Sequence, residues 1–225
     1  GAYAEANNVA AASAVKVPDG VTHEQAAAMM LKGLTAQFLL RQTFKVEKGQ
    51  TILWHAAAGG VGLIACQWAK HLGATVIGTT SSEDKAALAR AHGCDHVIDY
   101  TKEDVAKRVL EITGGKKLPV VYDGVGKSTF IGSLDCLAPL GLLVSFGNAS
   151  GPVTDVNLGI LAQKGSLYVT RPTMFHYAAK SPTALQEMAD DLFAVVKSGA
   201  VTIEVKQRYS LAEAARAHID LEARK

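Results

Sequence analysis

The sequence offers no set of cysteines on which a scaffold could be built. Its three cysteines, Cys66, Cys94 and Cys136, are far apart and odd in number, and none forms a C-x-x-C pair. That argues against a disulfide framework and a structural zinc site, and makes a reducing cytoplasm the expected compartment. No uninterrupted apolar run is long enough to cross a bilayer, and Gly1 opens no signal-peptide pattern. An excess of one charge is also missing: 23 basic and 21 acidic residues are interspersed, for a net charge of +2. The chain therefore carries no nucleic-acid-binding tract and no membrane-surface helix. The seven histidines include no H-E-x-x-H pair. Low-complexity segments and long internal repeats are absent too. What remains is 225 residues, 48% of them apolar, enough for one large or two small domains with a real core.

The central feature is Thr51-Ile-Leu-Trp-His-Ala-Ala-Ala-Gly-Gly-Val-Gly62. An apolar run of strand length leads into small residues and then into a helix whose Val61, Ile64, Ala65, Trp68, Ala69 and Leu72 form one stripe. Strand, glycine turn and helix are the first half of a dinucleotide-binding unit, here with the fingerprint A-x-G-x-x-G at Ala57, Gly59 and Gly62. A Cβ at the middle position would push a pyrophosphate away. The last position lets helix pack closely on strand, and the helix N–H groups then face phosphate charge. A second strand, Thr75-Val-Ile-Gly78, follows the turn at Leu72-Gly73.

The flanks follow the same rhythm. Residues 1–17 are Ala-rich, with Val9, Val15 and Val17 as candidate strand positions, and Pro18-Asp-Gly20 is a turn. Thr22 and Gln25 form a capping box that opens a helix through Met30; Gly33 punctuates, and 34–43 reads as a second helix. Downstream, strands are predicted at 96–99, 118–123, 141–146 and 165–170, and helices at 82–92, 101–113, 128–137, 182–198 and 211–223. Residues 201–209 read as a strand or hairpin arm. This alternation implies an α/β fold, a Rossmann-like doubly wound parallel sheet with helices on both faces and ligands at the carboxyl ends of the strands. The expected organisation is a residual N-terminal segment and linking helix at 1–33, followed by a dinucleotide-binding domain at 34–225.

The end of the second strand speaks to which nucleotide is bound. An NAD-binding unit carries an acid there, about 20 residues past the fingerprint. This chain has Thr79, Thr80, Ser81 and Ser82 instead, with Lys85 close behind. A carboxylate would repel a 2′-phosphate, whereas hydroxyls, a helix N-terminus and a lysine accept it, which favours NADPH. Glu83 and Asp84 argue the other way, although in a first helical turn they also serve the helix dipole. Several patterns fail on spacing. Gly126-Lys-Ser128 lacks the glycine five residues earlier that a phosphate loop needs, that position being Val121. Tyr177 and Lys180 are one residue too close for a Tyr-x-x-x-Lys pair. His92 and His96 flank Gly93 and share no helix face, and His55 reads as a packed residue. A methyltransferase would also want the missing acid.

Together these residues resemble a known group. His55-Ala-Ala-Ala-Gly-Gly-Val-Gly62 with Gln67-Trp-Ala-Lys70, Lys32-Gly-Leu-Thr35, Val97-Ile-Asp-Tyr100, Val121-Tyr-Asp-Gly-Val-Gly126, Ser133-Leu-Asp-Cys-Leu137, Val144-Ser-Phe-Gly-Asn148 and Gly165-Ser-Leu-Tyr-Val-Thr-Arg-Pro172 are similar to the quinone oxidoreductases of the medium-chain dehydrogenase superfamily, the zeta-crystallin-like branch. The resemblance implies an enzyme that passes reducing equivalents from NADPH directly to a quinone without catalytic zinc. It also implies roles for individual residues. Gly59, Gly60 and Val61 would hold the pyrophosphate; Ser81, Ser82 and Lys85 the 2′-phosphate; and Tyr100 would lie near the adenosine. Thr35 would sit close to the nicotinamide, with Phe146, Gly147 and Asn148 on the nicotinamide-ribose side. Arg171, Pro172 and Thr173 would border the same cleft, and Arg224 would reach the cofactor. No residue is expected to act as an acid or base. A homodimer through the edge strand near Ser166–Thr170 is a further implication. Most of the family's N-terminal GroES-like domain and its final strand have no counterpart here. The chain is therefore expected to be an engineered or truncated form with impaired turnover. The alternative is a non-catalytic NADPH-binding module.

Overall fold

The computed structural model describes residues 3–223. Six parallel strands form one sheet: β1 (Thr51–Trp54), β2 (Thr75–Thr80), β3 (His96–Asp99), β4 (Leu118–Asp123), β5 (Leu137–Ser145) and β6 (Tyr168–Thr170). Their spatial order is β3-β2-β1-β4-β5-β6. The order reverses between β1 and β4, and such a reversal opens a crevice at the carboxyl ends of the strands. The helices are α1 (His23–Phe38), α2 (Gly60–His71), α3 (Glu83–Ala91), α4 (Val105–Ile112), α5 (Phe130–Asp135), α6 (Gly159–Gln163), α7 (Met174–Ala178), α8 (Ala184–Lys197) and α9 (Ala214–Glu222).

Strand alternation builds two cores. Ile52, Trp54, Val76, Val120, Tyr122 and Val144 face one side, where they meet α1, α2 and α8. Leu53, Ile77, Ile98, Val121 and Leu143 face the other, against α4 and α5. Central strands buried on both faces read as near-continuous apolar runs, as these do. The stripe on α2 lies inward as its spacing predicts, with Ile64, Ala65, Trp68 and Ala69 all buried. Trp68 is 1% exposed, so truncating it to alanine would cost on the order of 3–5 kcal/mol.

Several boundaries differ from the sequence reading. Gly33 does not end a helix: α1 runs through it to Phe38 and continues as a π-helical turn, Leu39–Thr43. A Cβ at Gly33 would stand 2.5 Å from Leu192 Cδ2, so the glycine serves close packing on α8 rather than termination. The capping box of Thr22 and Gln25 is present as expected. Strand β5 begins earlier, at Leu137, and β6 is shorter than 165–170 because Gly165 (φ +119°) and Ser166 (φ +56°) leave the extended region. Helix α5 is shorter than 128–137. Residues 201–209 join no sheet; Gln67 instead binds Thr202, accepting from its N–H (2.9 Å) and donating to its carbonyl (3.2 Å). Residues 9–17 contain a 3₁₀ turn, Ala11–Ser13, and no strand.

Candidate functional site

The fingerprint turn is shaped by backbone crowding. Gly59 is the N-cap of α2 and has no side chain with which to cap it, so the first N–H groups of the helix are free for a ligand. A Cβ on Gly62 would lie 2.5 Å from Ala57 O and 2.7 Å from Ala56 O, which makes glycine obligatory there. Ala56 adopts φ +54°, a left-handed conformation uncommon outside glycine. At Gly60 the neighbour is a side chain from α1: a Cβ there would stand 2.9 Å from Lys32 Cε and 3.3 Å from Lys32 Nζ. Lys32 thus brings a cation to the start of α2. Nothing in the helical spacing of Lys32 marks it for this position, which only the packing of α1 against α2 reveals.

A cleft of about 740 Å³ opens beside this turn. Its walls include Gly59, Ser81, Lys85 and Tyr100, so four of the sequence-derived positions share one cavity. Lys85 Nζ donates to Ser81 Oγ at 3.2 Å, and Ser82 Oγ caps α3 by accepting from Lys85 N at 3.4 Å. Capping and ligand binding therefore coexist in one segment. Four of the acids around this end have partners of their own, while Asp84 is exposed in the first turn of α3. Glu83 pairs with Arg90 at 2.7 Å, Glu103 with Arg108 at 3.0 Å, Asp135 pairs with Lys164, and Asp104 caps α4. At the end of β3, the Thr101 hydroxyl, the Lys102 ammonium and the Thr101 amide hold the Asp99 carboxyl down to about 2. The free donors of α2 and the Lys85 ammonium are left to meet an anionic ligand.

The second group lies at the carboxyl end of β5. Arg171 Nη1 donates to Ser145 O (3.0 Å) and Gly147 O (2.8 Å). The Asn148 amide, oriented by its neighbours, donates to Gly147 O at 2.9 Å and accepts from Arg171 Nη2 at 3.2 Å. Phe146 packs on Trp54 with ring centroids 5.4 Å apart and covers Gly124. Pro172 is half-buried, and Thr173 leads into α7 with its hydroxyl 3.2 Å from His176 Nδ1. Phe146, Gly147, Asn148 and Arg171 thus form one cluster, with Pro172 and Thr173 continuing from it. Thr35 lies on α1, its hydroxyl donating to Leu31 O (2.7 Å). Arg224 lies outside the described residues. Val61 is half-buried in the first turn of α2.

Between the two groups lies a buried polar set. Asp123, 1% exposed, accepts from Val125 N (2.8 Å), Gly126 N (3.0 Å) and Ser133 Oγ (3.0 Å), with Thr129 Oγ1 2.7 Å from its Oδ2. His55 bridges Ser133 Oγ (3.0 Å) and Thr79 Oγ1 (3.1 Å). The reading of His55 as a packed residue matches this burial. Sequence reasoning missed Asp123, Thr129 and Ser133 as a unit. The available signal was an acid at a strand's carboxyl end followed by Gly-Val-Gly, a turn-forming pattern. No group of three or more His, Cys, Asp or Glu able to hold a metal occurs among the described residues.

A 3-2-1-4-5-6 parallel sheet, a glycine-rich turn at the first helix and a cleft at the switch point define a dinucleotide-binding protein. Comparison with known proteins narrows the class. The family model for zinc-binding dehydrogenases matches residues 60–193, and the chain belongs to that family. It is 64% identical to a quinone oxidoreductase of Pseudomonas aeruginosa over all 225 residues, which span 69% of that protein. A 2-haloacrylate reductase of Burkholderia is 46% identical over 97% of this chain and 66% of its own length. The crystal structure of Escherichia coli quinone oxidoreductase complexed with NADPH superposes with a TM-score of 0.94 at 52% identity, covering 99% of this chain and 69% of that one.

Proposed function

We propose that this chain is the cofactor-binding part of an NADPH-dependent quinone oxidoreductase. The observation that carries the proposal is the cleft beside the fingerprint turn, lined by Gly59 at the uncapped start of α2, Ser81 and Lys85, while Glu83, Glu103 and Asp135 are paired with cations of their own. The residues fit the cofactor, because the start of α2 is a glycine with no side chain to cap the first helical amides, and Lys85 and Ser81 line the same cleft. NADPH supplies a hydride when bound; the protein supplies position. Gly59, Gly60 and Val61 take the pyrophosphate. Ser81, Ser82 and Lys85 take the 2′-phosphate, with Tyr100 alongside the adenosine. Phe146, Gly147, Asn148, Arg171, Pro172 and Thr173 border the nicotinamide end, which Thr35 approaches from α1. Residues 34–225 form the nucleotide-binding unit, with 1–33 as the segment and helix leading into it. The three cysteines are free and buried, in keeping with a reducing cytoplasm.

Titrating the protein with NADPH and NADH at fixed salt tests the reading. Lys85→Ala is expected to weaken NADPH binding on the order of 10- to 100-fold and leave NADH nearly unchanged. Equal loss for both would overturn the 2′-phosphate assignment. Turnover on a small quinone, compared with a haloacrylate, separates the two acceptor classes represented among the relatives; binding without turnover on any acceptor would leave a binding module.

A homodimer through β6 is part of the proposal. Tyr168 is 60% and Leu140 65% exposed along this side of the sheet, and pairing two such edges would complete both ladders. A purely monomeric mass by light scattering at micromolar concentration would refute it.

A further inference from the structure

The buried polar set under the cleft has a proton order that the geometry fixes. Asp123 receives only donors, as a carboxylate requires. Ser133 therefore spends its single proton on Asp123 Oδ2 and must accept from His55 Nε2–H. The imidazole then has its lone pair at Nδ1, which accepts from the Thr79 hydroxyl. Thr79 Oγ1 in turn accepts from Ala56 N at 3.2 Å. The chain of hydrogen bonds ends on the one residue of the fingerprint turn with a positive φ.

Asp123 also reaches the opposite wall. Its Oδ1 holds the amides of Val125 and Gly126, and Gly126 (φ +90°) leaves no room for a Cβ, which would stand 2.8 Å from Gly151 O. The 124–128 loop is zipped to the 147–151 loop by Ser150 N to Val125 O (2.8 Å) and Lys127 N to Gly151 O (3.1 Å). One carboxylate thus touches the supports of both the fingerprint turn and the loop after β5.

We infer that Asp123 is a positioning residue that sets the two cofactor walls in register, acting on the fingerprint turn through Ser133, His55 and Thr79. This rests on the assignment of the cleft to NADPH. A strained Ala56 would relax without its acceptor, and the pyrophosphate cradle would lose its preformed shape. Burial pushes the His55 imidazole's pKa down, against the opposing pull of the Asp123 charge, so the ring is neutral as the relay needs.

The test removes links rather than the carboxylate. Thr79→Val keeps shape and loses the acceptor for Ala56; Thr79→Ser keeps the hydroxyl. Thr79→Val and Ser133→Ala are expected to weaken NADPH binding about 10-fold, with turnover at saturating NADPH within about threefold of the parent and Thr79→Ser close to it. Nitrogen-15 NMR is expected to show His55 as the Nε2–H tautomer, and faster exchange of the Ala56 amide in both weakened variants. An Nδ1–H tautomer, or parental affinity in Thr79→Val, overturns the inference. If the parent protein itself fails to bind NADPH, the proposed function falls, and the tautomer and the Ala56 amide still decide whether the relay exists.

Discussion

The two walls of the cleft are held by different means. The fingerprint wall is internal: its turn sits between β1 and α2, two backbone carbonyls leave no room for a side chain at Gly62, and its polar support is buried. The wall after β5 is pinned from outside, by the exposed Arg171 reaching back to Ser145 and Gly147. Buried backbone contacts cannot shift without disturbing the core, whereas a surface guanidinium competes with water. The first wall is thereby held by the core itself, whereas the second depends on a surface side chain in addition to its backbone links to the 124–128 loop.

The contrast breaks most sharply at Gly62. Gly62→Ala places a Cβ where Ala57 O would be 2.5 Å away, so backbone must move. A loss of about 1–3 kcal/mol in urea unfolding is expected, with NADPH binding weakened more than about 10-fold. Unchanged stability would mean that the first wall is as yielding as the second. Arg171→Ala sharpens the comparison from the other side. Its stability cost is expected to stay near about 1 kcal/mol by thermal unfolding, while the NADPH KM rises severalfold. A large fall in melting temperature would show the outer pin to be structural.

The smallest effect is in pH. The folded pKa of His55 lies below its ordinary 6.5, so the unfolded chain binds a proton that the folded one refuses. Stability is then full above about pH 6.5 and declines as pH falls toward the folded value, by at most about 1.4 kcal/mol per unit from this group. His55→Gln is expected to remove that portion of the slope. Identical slopes in urea unfolding between about pH 5 and 7.5 would place the proton uptake elsewhere.

Much of this was legible in the chain. An apolar run of strand length identified β1, buried on both faces, and period-3.6 patterns identified α2 and α8, because burial on one face of a helix leaves its repeat in the order of residues. The hydroxyls of Ser81 and Ser82 and the lysine at 85 showed the character of the cleft's anion-binding end, since these contacts are local, whereas the Thr79 hydroxyl is buried and taken by His55 and Ala56. Boundaries failed where a distant partner decided them. Gly33 reads as a stop but packs on Leu192, and Thr202 is claimed by Gln67 rather than by a strand.

The sequence by itself determined the βα rhythm, the glycine turn and the preference at the end of β2, all set by neighbours within a turn or two. Only the tertiary structure decided that His55, Ser133 and Asp123 form one unit, that Lys32 stands over Gly60, and that the loops after β4 and β5 are zipped together. Those pairings join residues ten or more positions apart, and the hydrogen bonds of His55, Ser133 and Asp123 hold because the packed sheet excludes the water that would otherwise take each partner.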